Sequence, residues 1–136
     1  MQTQVVKYRI WNLALRMNPQ QATYSSRTLA TTPAGKDTFT RWVLTRVVYQ
    51  PLNKSEEAMV AGNATLADVT KKWVITQVDL EQAITITPDD AGQPALPPQI
   101  GFELAFDDGT TWVIRKVNIA PIGQAFECYC AQARPQ

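Results

Sequence analysis

Four sets of residues in this chain have the types and spacing for chemistry. Cys128 and Cys130 stand two apart in FECYC, a spacing that invites redox or metal work. Asp89 with Asp90 and Asp107 with Asp108 are adjacent carboxylates, the raw material of an acid and base pair or a cation site. Arg41 and Arg46, Lys71 and Lys72, and Arg115 and Lys116 flank Trp42, Trp73 and Trp112. Cations beside aromatic rings bind single-stranded nucleic acid through phosphate contacts and base stacking. Glu56 and Glu57, followed by Gly62 and Asn63, put charge and bend into one long connection.

Each set also has a simpler use. In a strand the two thiols share a face about 7 Å apart, a poor geometry for a disulfide. The chain has no histidine to complete a zinc set with them. They read as buried reduced thiols acting as small apolar side chains. Both aspartate pairs sit beside Pro or Gly, where Asp favours turns through local hydrogen bonds. Without histidine there is no Ser-His-Asp or Cys-His nucleophile system, and neither a phosphate-binding loop nor a dinucleotide fingerprint is present. The reading is that of a protein that is not an enzyme and needs no cofactor or metal. Around the tryptophans, the simpler use is rings in the core with long cations at its rim.

The composition frames these choices. With 136 residues, 45% of them hydrophobic and 18% charged, the chain reads as one folded domain spanning residues 1–136. A net charge of +1 gives no general basic field for nucleic acid or an anionic membrane. No apolar run approaches the ~20 residues of a membrane span, and the first residues lack a signal-peptide pattern. A soluble protein, intracellular when made and without membrane contact, is the expectation. On that view the sequons at Asn53 and Asn63 are chance.

The elements that must position these residues announce themselves by repetition. RWVLTRVV from Arg41, KWVITQVD from Lys72 and TWVIRKVN from Thr111 share Trp, Val, Ile or Leu, two variable residues and Val. Their Val, Ile, Thr and Trp content favours strands. Strict alternation puts Trp42, Leu44 and Arg46 on one face and Val43, Thr45 and Val47 on the other; it likewise sets Val78 and Val117 opposite Trp73 and Trp112. Ile100, Phe102, Leu104 and Phe106 alternate before Asp107, Asp108 and Gly109, the strongest hairpin signal in the chain. AFECYCAQA reads as the last strand and VVKYRIWNLAL as an early one. Only Ser55 to Gly62 reads as a helix, with Ser55 as its cap and Gly62 as its stop. Residues 18–34 read as an exposed arm, and 51–68 and 88–99 as long loops. The expected fold is mostly β, a small antiparallel β-barrel or sandwich with long loops and one short helix. Its candidate core comprises Trp42, Trp73, Ile75, Phe102, Trp112, Ile114 and Phe126.

In order and length, the run of GKDTFTRWVLTRVVYQP, SEEAMVAG, KKWVITQ, AITITPDD, DGTTWVIRKVNI and AFECYCAQAR from Gly35 to Arg134 resembles head-closure proteins of tailed bacteriophages, also called stopper or head-tail joining proteins. The resemblance implies a β-barrel assembled as a homo-oligomeric ring in the virion neck, made in the host cytoplasm. Its implied partners are the portal or adaptor on one side, the tail on the other and packaged double-stranded DNA in the channel. It implies no catalytic residue. In that family the connection corresponding to residues 51–68 projects toward the ring axis, where Glu56 and Glu57 would face DNA while Gly62 and Asn63 allow bending.

Two other readings use the same residues. An OB-type barrel for single-stranded nucleic acid requires the three tryptophans to be exposed as stacking platforms. Another virion ring protein, a tail terminator or a baseplate component, would share the β content and ring assembly.

Overall fold

The structure, a computed structural model, describes residues 2–28, 33–35, 38–88, 92–120 and 124–133. Seven strands form: β1 (Gln20–Thr28), β2 (Thr38–Gln50), β3 (Val69–Thr76), β4 (Ile84–Thr87), β5 (Glu103–Phe106), β6 (Thr111–Ile119) and β7 (Ala125–Gln132). Their order is β1-β5-β6-β7-β3-β2-β4, and β1 also pairs with β2. That extra pairing closes six strands into an antiparallel barrel and leaves β4 as an appendage on β2. Three helices accompany them: α1 (Gln2–Ala14), α2 (Lys54–Ala61) and α3 (Gln77–Glu81).

The repeated phrase has a structural answer that strict alternation missed. On β2, Leu44 pairs with Ala22 and Val47 with Gln20, so three steps on one strand match two on the other. On β6, Ile114 faces Cys130 and Lys116 faces Tyr129, leaving Arg115 as an extra residue. Each irregularity is a bulge at the variable pair, and one inserted residue reverses which side chains face inward. Trp42, Leu44 and Val47 therefore all join the core, and Val117 packs against the same cluster as Trp112 and Ile114. The second phrase reaches the same end differently. β3 stops at Thr76, whose hydroxyl accepts the Asp79 N–H and caps α3, so Val78 is buried from a helix.

The core holds Trp42, Trp73, Ile75, Trp112, Ile114 and Phe126 with both cysteines, while Phe102 packs on it partly buried. Trp73 stacks on Phe106 with ring centroids 4.2 Å apart. Phe102, Leu104 and Phe106 face in as the alternation requires, but Ile100 is 68% exposed. Gly101, at φ 92, turns the chain between Ile100 and Phe102, a conformation that favours glycine.

Three further expectations are corrected. The N-terminal segment is a helix, not a strand: Ile10 and Ala14, four apart, share a face toward the barrel, and the Arg46 guanidinium lies 3.5 Å over the Trp11 ring. Gln20–Thr28 is no arm but a wall strand paired on both sides, with Ala22 and Tyr24 buried among polar neighbours. Residues 29–32 lie outside the described residues. The helix in the 51–68 connection is capped by Asn53, two residues before the expected cap Ser55, and it is joined by α1 and α3. Of the 88–99 loop, residues 89–91 lie outside the described residues; Pro94 and Pro98 are buried.

Candidate functional site

Two adjacent lysines, Lys71 and Lys72, define the polar features of the barrel because strand alternation sends them to opposite faces. Lys71 pairs with Cys130 in register and points inward at one barrel end. Its ammonium lies 5.2 Å from the Tyr49 ring, 5.9 Å from Trp73 and 4.8 Å from Trp112, a cation closing an aromatic mouth. The β5–β6 turn lies near it. There the Asp108 carboxylate accepts the Thr110 hydroxyl and N–H, which lower its pKa, and Lys71 adds to that lowering.

Lys72 pairs with Tyr129 and points outward, yet it is only 5% exposed. The 51–68 connection covers it. α2 carries Met59 and Val60 onto Tyr129, and Leu52, Leu66 and Val69 complete a second apolar cluster there. Beneath this cover the Lys72 ammonium donates to both Glu56 carboxylate oxygens, at 3.1 and 2.9 Å, and to Glu127 at 3.1 Å. The Tyr129 hydroxyl donates to Glu56, and Asn118 donates to that hydroxyl at 3.4 Å. The Asn53 N–H gives Glu56 a further hydrogen bond at 3.0 Å, half of a reciprocal capping box.

The electrostatics follow from these partners. Burial opposes the Glu56 charge, but the Asn53 amide, Tyr129 and Lys72 outweigh it and hold its pKa below the ordinary carboxylate value. Burial likewise opposes the Lys72 charge, and Glu56 with Glu127 outweighs it and raises its pKa. Burial and the Glu56 carboxylate push the Tyr129 hydroxyl up. The network is a clamp with its charges satisfied.

In this placement the Glu56 carboxylate is engaged by Lys72 and Tyr129 of its own chain. Glu57 alone of the pair is exposed. Gly62 ends α2, its N–H bonded to the Ala58 carbonyl at 3.0 Å, and Asn63 caps the following turn by accepting the Thr65 N–H at 3.0 Å. Both positions thus take part in local hydrogen bonds that end one helix and start the next turn. The connection is a cover docked on the wall.

A third polar feature had no counterpart in the sequence reading. Asp79, 2% exposed, accepts hydrogen bonds from the Thr45 N–H at 3.1 Å, the Thr45 hydroxyl at 3.2 Å and the Arg46 N–H at 3.0 Å. β2 pairs with β4 over residues 41–43 and with β3 over 48–50, so between them its bulged amides face α3. Asp79 fills that gap in the wall. Its signal was the Thr76-x-x-Asp79 cap, hidden inside an apparent strand. Arg46 then reaches the Trp11 carbonyl at 3.1 Å and Asn12 at 3.3 Å, tying α1 to the same point.

The remaining candidates separate. Cys128 and Cys130 are fully buried and unbridged. Burial raises the Cys130 thiol to about 12 and Cys128 well above its ordinary value, so neither is poised as a thiolate. Among the described residues no cluster of three or more metal-binding side chains occurs, and no helix is long and apolar enough to cross a membrane. Trp42, Trp73 and Trp112 are 6%, 3% and 4% exposed, which removes the stacking platform required of an OB-type barrel. Comparison with family models, curated proteins and solved structures finds no match.

Proposed function

We propose that this chain is a structural subunit of a tailed-phage neck, one copy in a ring between portal or adaptor and tail. The observation that carries the reading is the outer surface of the barrel. β4, paired to β2 alone among the described strands, exposes Ile84 and Ile86, and an apolar strand at a sheet edge is a surface that a monomer normally protects. Subunit contacts would cover such an edge. The order of strands and connections along the chain, which resembles head-closure proteins, supports placing that ring at the neck. The docked clamp on Glu56 favours a covering role for residues 51–68 over obstruction of the channel, and channel obstruction is not part of the proposal.

The test is deletion of the gene from a phage that carries it. The expected particles have filled heads that lose DNA and do not join tails, with separate tails accumulating. Infectious tailed particles from the deletion would end the reading.

A further inference from the structure

The near-neutral total charge conceals a division along the chain. Residues 1–50 hold seven Lys and Arg against one acidic residue, whereas residues 51–136 hold six against eleven. The division is sharpest in two elements. Residues 2–17, α1 and the helical turn after it, contain Lys7, Arg9 and Arg16 and no Asp or Glu. Residues 100–114, the β5–β6 hairpin, contain Glu103, Asp107 and Asp108 and no Lys or Arg.

Both elements present these charges together with apolar side chains. Arg9 on α1 and Arg16 on the helical turn after it are exposed beside Leu13, with Tyr8 and Met17 also exposed nearby. Asp107 and Asp108 are exposed on the hairpin, and Ile100 stands exposed at its start. None of these four charged residues forms a salt bridge among the described residues. Asp108 takes both Thr110 hydrogen bonds on Oδ1, which holds the carboxylate in place and leaves Oδ2 for another donor.

Their positions are as telling as their signs. α1 lies against β2, β3 and α3. In the closed barrel β5 is three strands from β3 in either direction, so the basic and acidic elements occupy opposite walls. Within one molecule Lys71 lies near Asp108, but α1 and the hairpin cannot meet. A duplex nucleic acid would be drawn to α1 but repelled by the hairpin, while a second copy of the chain complements each wall with the other.

We infer that α1 of one copy docks on the β5–β6 hairpin of the next, a contact that rests on the ring reading above and names its two faces. It is a heterologous contact, the kind that repeats until a ring closes. Opposite charges set register and suppress wrong pairings, and the flanking apolar residues supply the buried area.

Sedimentation velocity of purified protein at low and high salt tests it. The parent should associate beyond a dimer at low salt and dissociate as salt rises. Arg9→Glu with Arg16→Glu, and separately Asp107→Lys with Asp108→Lys, should each weaken association by about tenfold or more. Mixing the two variants should restore it, because each charge reversal then meets its complement. Restoration also shows that neither variant failed to fold. If the parent associates and the mixture does not, the contact is wrong while the ring reading stands. If the parent stays monomeric and the α1 variant instead loses retention of a short DNA duplex, α1 serves nucleic acid and the inference falls. A parent that neither associates nor binds duplex also ends it, and the gene deletion then decides the neck reading separately.

Discussion

Asp79 and Glu56 are both carboxylates withdrawn from water against the same barrel, and they are held in opposite ways. Among the described residues Asp79 pairs with no cation: two backbone N–H groups and a hydroxyl from a bulge in β2 are its partners. Glu56 meets a buried ammonium, a phenol and one amide. The first stands where one edge of β2, between its pairings with β4 and β3, has no neighbouring strand, and so completes the wall itself. The second fastens an excursion onto a wall that β3 and β7 have already closed. Loss of Asp79 should therefore be felt everywhere, and loss of the Glu56 clamp chiefly in the cover.

Asp79→Ala gives the largest expected effect. It strands two part-buried amides and the Thr45 hydroxyl, each costing roughly 1–2 kcal/mol, so about 3–5 kcal/mol of stability should go. The melting temperature should fall by about 10 °C or more, with tryptophan and backbone signals moving together. A variant that melts with the parent would break the contrast.

Lys72→Met leaves Glu56 and Glu127 facing each other without their cation. Removal of one partner from a buried pair costs about 3 kcal/mol or somewhat more. Limited proteolysis should accelerate between Pro51 and Asp68 while near-ultraviolet dichroism from the core tryptophans persists. Adding Glu56→Gln should recover part of the loss. If cleavage spreads equally to β1 and β7, the clamp belongs to the wall after all.

Acid sharpens the same point. The Glu56 pKa is lower folded than unfolded, so its contribution is fully present above the ordinary carboxylate range and is lost as pH falls through the lowered folded value. Thermal melts of the parent and Glu56→Gln should differ most near neutrality and converge in acid. A gap that stays constant down to the lowest pH would show that the charge of Glu56 does not matter.

Lys71→Met is the smallest. It removes a cation from the face of three rings at the barrel mouth but leaves the rings packed, and about 0.5–1 kcal/mol is expected. A drop comparable to that of Lys72→Met would mean the two lysines do equivalent work.

Much of the barrel was legible because its strands advertise themselves. Phe102, Leu104 and Phe106 alternate up to a glycine turn, and Gly109 takes φ 88 there. β1 was illegible because its inward residues, Ala22 and Tyr24, are too few to outvote Gln, Ser and Thr. α1 was illegible for the opposite reason. Its Val, Ile, Tyr and Trp favour strands, and docking against Arg46 and the barrel overrides that preference. The clamp could be read only in part: Asn53 and Glu56 have capping-box spacing, but nothing local ties Lys72 to a residue 16 positions earlier. The bulges were visible as an odd spacing, Trp to aliphatic in two steps and on to Val in three, which a regular strand cannot keep on one face.

Slow amide exchange in a barrel ordinarily reports strand pairing, and at Thr45 and Arg46 it will report something else. Their protons are held by a carboxylate 34 and 33 residues away, on a helix of five residues. Any motion that lifts α3 from the wall frees those two amides, while the flanking ladder of β2 keeps its protons. A two-proton signal thus records the undocking of α3 separately from the opening of the barrel, without any label on the chain.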